Sequence, residues 1–143
     1  MPDILIVEDN PVNQKLIAFL LARSGYSYDI AENGAIALDR LDKAAYRLVL
    51  LDMMMPVMNG YDAIKAIRSQ DRLRHLPVIA LTANAMKGEA EKCRAAGCDD
   101  YIAKPYSKDQ ILGAIATQLA RSATATPSTA VPRPASNQLP RPV

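Results

Sequence analysis

Leu48-Val49-Leu50-Leu51 runs straight into Asp52, and the chain then passes through Met53-Met54-Met55-Pro56-Val57-Met58-Asn59 to Gly60. Four apolar residues without polar alternation suit a strand covered on both faces, as in a parallel sheet flanked by helices. The carboxylate, proline, asparagine and glycine that follow put a loop at the strand's carboxyl end. In open α/β sheets that end carries the ligand site.

Working outward, the same pattern repeats. Ile4 to Val7, Tyr28 to Ala31, Val78 to Leu81 and Tyr101 to Ala103 are further strand candidates, and three of the five runs are apolar throughout. Helical spacing fills the intervals. After Asn10 as N-cap and Pro11 at the first helical position, Val12, Leu16, Phe19 and Leu20 share a face, and Gly25 ends the helix. Later faces are Ala37, Leu38 and Leu41; Tyr61, Ile64 and Ile67; Met86, Ala90 and Cys93; and Ile111, Ile115 and Leu119. Five strand-helix units in strict alternation predict an α/β domain, an open parallel sheet with right-handed crossovers and helices on both faces.

A chain of 143 residues fits one such domain, which we place at 1–121. From Ser122 to Val143 the composition changes: 5 of the 10 prolines fall there, with no acidic residue and no periodic apolar face, so this stretch reads as a disordered tail or linker. The net charge of +2 comes wholly from Arg133 and Arg141, because residues 1–121 hold 15 basic and 15 acidic side chains. A neutral domain lacks the field that gathers nucleic acid, so no direct nucleic-acid partner is expected. The apolar run near the N-terminus is too short for a signal peptide or a membrane span, which predicts a cytoplasmic protein with no membrane partner. Cys93 and Cys98 are too few for a disulfide framework or a zinc site.

The residues immediately after the apolar runs carry the chemistry. They are Glu8 and Asp9, Asp52, Thr82 and Lys104, which the topology brings to one pocket. Carboxylates converging at a sheet edge repel unless a cation sits among them, and oxygen-only donors select a hard ion such as magnesium. Asp9 and Asp52 fit that role. Lys104 and Thr82 would supply donors to a phosphoryl group, whose developing charge is stabilised by metal, cation and hydrogen bonds. Met53, Met54, Met55 and Met58 could suggest a thioether copper site, but no cysteine or histidine lies nearby to complete it, and packing is the better reading. His75 precedes Pro77 in a loop with no partner for a catalytic triad.

Taken together, Glu8-Asp9, the stretch from Asp52 to Gly60, Leu81-Thr82-Ala83 and Tyr101-Ile102-Ala103-Lys104-Pro105 resemble the signature of response-regulator receiver domains over residues 3 to about 120. The resemblance is closest to single-domain phosphorelay and cell-cycle regulators of the DivK type. It implies a five-stranded flavodoxin-like fold in strand order 2-1-3-4-5 with five flanking helices. It also implies an aspartyl phosphate on Asp52, donated by a histidine kinase or histidine phosphotransfer protein. Magnesium would be held by Asp9, Asp52 and the backbone carbonyl of Met54, with Glu8 acting through water. Lys104 would contact the phosphoryl group and precede a cis peptide to Pro105. Thr82 and Tyr101 would switch the face formed by helix 4, strand 5 and helix 5 toward a downstream protein target. Such a domain is a phosphoacceptor that catalyses only its own phosphorylation and dephosphorylation. The lifetime of the phosphate is tuned in the family two residues after the acceptor and two after the threonine, here Met54 and Asn84. Met54 cannot hydrogen-bond an attacking water, so slow self-dephosphorylation is expected.

Two other readings compete. An aspartate-nucleophile phosphatase of the haloacid dehalogenase type wants a second aspartate where Met54 stands, and methionine cannot act as its general acid. The chain could also be the receiver portion of a hybrid kinase, or of a longer regulator with an output domain. No recognisable DNA-binding motif follows Arg121, which favours a stand-alone shuttle acting by protein contact. In a relay, the first helix would dock the helical bundle that presents the donor histidine.

Overall fold

The computed structural model describes residues 3–54, 58–82, 88–104 and 106–125. The chain order is β1 (Ile4–Val7), α1 (Pro11–Arg23), β2 (Tyr28–Ala31), α2 (Gly34–Lys43), β3 (Leu48–Asp52), α3 (Gly60–Arg68), a 3-10 turn (Asp71–Leu73), β4 (Val78–Thr82), α4 (Glu89–Ala96), β5 (Asp100–Ala103) and α5 (Lys108–Ala125). The strands lie in the order β2-β1-β3-β4-β5, every pair parallel. This is the α/β architecture expected from the alternation of apolar runs and helical faces.

Each apolar strand splits its side chains between two cores. Leu5, Val7, Val49, Leu51, Val78 and Ala80 face one side, where they meet Ala37 and Leu41 of α2, Ala63, Ile64 and Ile67 of α3, and Cys93 of α4. Ile4, Ile6, Leu48, Leu50, Ile79 and Leu81 face the other, against Ile17 and Leu21 of α1 and Ile111, Ile115 and Leu119 of α5. A run that is apolar at every position is what two covered faces require. Both cysteines are buried as free thiols, and burial pushes the Cys98 thiol up to about 12.

Asparagine caps fix where three helices begin. The side chain of Asn10 accepts from the Val12 and Asn13 amides, Asn33 from Ile36 and Asn59 from Asp62. Gly25, just past α1, takes φ +86°, the left-handed region that glycine adopts without a Cβ clash.

The face expected for α1 is turned outward. Val12, Leu16 and Phe19 are exposed, while Ile17, Ala18 and Leu21 enter the core with Leu20 partly covered. The helix is apolar nearly all round, so spacing alone could not choose between its two stripes. At the other end, α5 continues through Ala125, four residues into the stretch read as tail, because Ser122 to Ala125 contains no helix breaker. Residues 126–143, Pro105, Asn84 and Met86 lie outside the described residues, and with them the expected cis peptide and one of the two tuning positions. Among the described residues, no helix is long and apolar enough to cross a membrane.

Candidate functional site

Register places the polar strand ends side by side. Val7 pairs with Leu51, so Glu8 and Asp9 leave β1 next to Asp52 at the end of β3. Asp52 pairs with Leu81 and Thr82 with Ala103, which puts Thr82 and Lys104 at the same edge. The Lys104 amide donates to the Thr82 carbonyl at 2.7 Å.

Carboxylate oxygens of Glu8, Asp9 and Asp52 lie within 4.8 Å of one another. Glu8, Asp52 and Thr82 are buried, while Asp9 is exposed and gives the cluster its opening to solvent. The Lys104 ammonium reaches Glu8 Oε1 at 3.1 Å and Asp52 Oδ2 at 3.6 Å. The second Asp52 oxygen, Oδ1, accepts the Met54 amide at 3.0 Å. One ammonium thus serves two carboxylates, with Asp9 as a third beside them. The cost shows on Glu8, whose carboxyl is pushed up to about 7, mainly by burial and then by Asp52, against the opposing pull of Lys104 and the Asn10 amide.

The donor set is oxygen from three carboxylates, with no nitrogen or sulfur ligand in the cluster, which suits a hard divalent cation. Sequence reasoning named every one of these side chains. It gave two neighbours no contact with these groups. Tyr106 packs near the pocket, its phenol pushed up to about 12 by burial and then by the charges of Glu8 and Asp52. Gln14 donates through Nε2 to the Glu8 carbonyl at 2.7 Å. A side chain on α1 that serves the backbone of β1's last turn leaves no mark in apolar spacing. Tyr101 is half-buried and packs against the core on the α2–α4 side. His75 is exposed and takes no part in the site.

Residues 4–116 match the model of the response regulator receiver domain family, to which the chain belongs. It is a receiver domain of two-component signal transduction. The chain is 41% identical over 116 residues to the polar-differentiation response regulator DivK of Brucella anthropi, covering 81% of this chain and 94% of that one. It is 39% identical over 125 residues to hybrid signal transduction histidine kinase I of Dictyostelium discoideum, covering 82% of this chain and 7% of the kinase. Among solved structures, the receiver domain of a Pseudomonas aeruginosa sensor histidine kinase, with magnesium coordinated in its active-site cleft, superposes at a TM-score of 0.77 with 39% identity, over 83% of this chain and 98% of that one.

Proposed function

We propose that Asp52 accepts a phosphoryl group from a phosphohistidine of a histidine kinase or phosphotransfer protein. A carboxylate oxygen of Asp52 attacks phosphorus, the phosphorus–nitrogen bond breaks, and its electron pair leaves with the imidazole. The observation that carries this reading is the crowding of Glu8, Asp9 and Asp52 at one sheet edge, where Lys104 reaches Glu8 and Asp52 from the end of β5. Asp9, Asp52 and the Met54 carbonyl would hold magnesium, with Glu8 bound through water, and the ion would supply positive charge against the phosphoryl oxygens. Lys104 meets the same oxygens with its ammonium, and Thr82 offers its hydroxyl from the end of β4. This acceptor turns over nothing but its own phosphate.

Contacts from the phosphoryl group to Thr82 and Lys104 favour a second state in which Tyr101 moves inward, altering the α4–β5–α5 face read by a downstream protein. The donor bundle docks on α1, a role supported by the outward stripe of Val12, Leu16 and Phe19, which are 73%, 48% and 58% exposed, and by Met54 at 64%. A Leu16→Asp change is expected to slow phosphotransfer from a protein donor and leave phosphorylation by a small molecule intact. The domain works in the cytoplasm without a nucleic-acid or membrane partner, and the Pro-rich stretch after α5 serves as a tail or linker. Similarity to receivers within hybrid kinases also supports a second reading, in which this receiver belongs to a larger kinase.

The test is incubation with acetyl phosphate and magnesium, followed by intact mass. Wild type gains one phosphoryl group and Asp52→Ala gains none. Equal labelling of both proteins, or none of either, contradicts the proposal.

A further inference from the structure

We infer that Gln14, through its Nε2 donor to the Glu8 carbonyl, is a positioning residue that holds the Glu8–Asp9 turn in the shape that binds the divalent cation. The inference rests on the proposed function and adds to it a residue outside the pocket.

Glu8 is the first residue past β1, and it is wholly inaccessible to solvent. Its amide still donates to the Ala31 carbonyl of β2, at 3.1 Å. Its carboxylate accepts the Asn10 amide at 3.2 Å on Oε2 and Lys104 at 3.1 Å on Oε1. Its carbonyl lies beyond the sheet ladder, and Gln14 reaches it at 2.7 Å. A buried carbonyl without a donor is costly, so the Gln14 amide is spent inward.

The consequence falls on Asp9. Among the described residues, no hydrogen bond or ion pair holds its exposed carboxylate. The direction of that carboxylate is therefore set by the backbone on either side, at Glu8 and Asn10. Asn10 is fixed by capping α1 and by accepting the Gln14 amide at 2.9 Å. Gln14 thus closes a ring from Glu8 to the first turn of α1, with Asp9 as its only loose member. Side chains that orient ligands in this indirect way commonly change metal affinity when removed.

Gln14→Met keeps the length and removes the donor. Magnesium binding to the full chain is measured by titration calorimetry, alongside thermal unfolding and the magnesium dependence of acetyl phosphate labelling. The expected result is a dissociation constant for magnesium raised about tenfold. Labelling would need correspondingly more magnesium and reach the wild-type extent at saturation. Gln14→Asn, polar but one methylene short, should behave alike and serves if the methionine variant fails to fold. An unchanged dissociation constant with a lowered melting temperature would make Gln14 merely structural and overturn the inference, leaving the proposed function standing. If wild type itself takes up no magnesium, the proposed function fails first and the inference falls with it.

Discussion

The two ends of the sheet treat charge in opposite ways. At the amino ends of β4 and β5, Arg68 spends its guanidinium on closing loops. It donates to the carbonyls of Gly97, Leu73, Arg74 and Leu76 at 2.8 to 3.0 Å and to the Asp99 carboxylate at 2.9 Å. Asp99 in turn accepts the Val78 amide at 2.8 Å. At the carboxyl ends, Glu8 and Asp52 share the Lys104 ammonium, and the Asp9 carboxylate beside them has no ion pair among the described residues. The first cluster closes two loops and satisfies its members, as a purely structural network should. The second is left short of positive charge, and it is the one that asks for a ligand.

The largest effect should come from breaking the satisfied end. Arg68→Ala removes five donor contacts at once, four of them to backbone carbonyls, and is expected to cost about 3 kcal/mol in urea unfolding. Arg68→Lys should recover little, because an ammonium cannot reproduce the planar fork that spans four carbonyls. Acetyl phosphate labelling of the folded fraction should survive both changes. Its loss would mean that the two ends are not independent.

Gly60 sharpens the comparison from the reactive side. A Cβ there would fall 2.5 Å from Met53 Cα and 2.8 Å from the Asp52 carbonyl oxygen, so the backbone of the acceptor loop must give way. Gly60→Ala should cost about 2 kcal/mol by overpacking and also lower labelling of Asp52, unlike any change at Arg68. Smaller, and opposite in sign, is Asp52→Asn. Relieving one like charge should raise the stability of the metal-free protein by about 1 kcal/mol while abolishing phosphorylation. A destabilised Asp52→Asn protein would contradict the view that this end is strained by its own charge. Met54→Asn should leave stability unaltered and shorten the life of the aspartyl phosphate, since it offers a hydrogen-bonding group where methionine has none. An unchanged decay rate would remove that idea.

The contrast also explains what could be read from the sequence. Strands buried on both faces betray themselves as unbroken apolar runs, and the observed strands differ from the expected ones only where Asp52, Thr82 and Asp100 join the ladder. Because those runs end at one sheet edge, Glu8, Asp9, Asp52, Thr82 and Lys104 could be gathered into one site from their order alone. The α1 face could not, since Val12, Leu16 and Phe19 compete with Ile17, Ala18 and Leu21 at the same spacing. Nor could the Arg68 and Gln14 contacts, because both side chains bond to backbone carbonyls whose positions depend on the folded shape of loops rather than on residue type.

The most direct test of the charge deficit is thermal stability measured across pH, with and without magnesium. Glu8 has a folded-state pKa raised from 4.5 to about 7, so between those values the native protein holds more protons than the unfolded chain. Its contribution is fully present below 4.5 and is lost as pH rises through about 7. Magnesium competes with those protons, so it should raise the melting temperature clearly at about pH 8 and little at about pH 5. A metal-free protein that holds its stability across that range, or a magnesium effect equal at both pH values, would contradict the account.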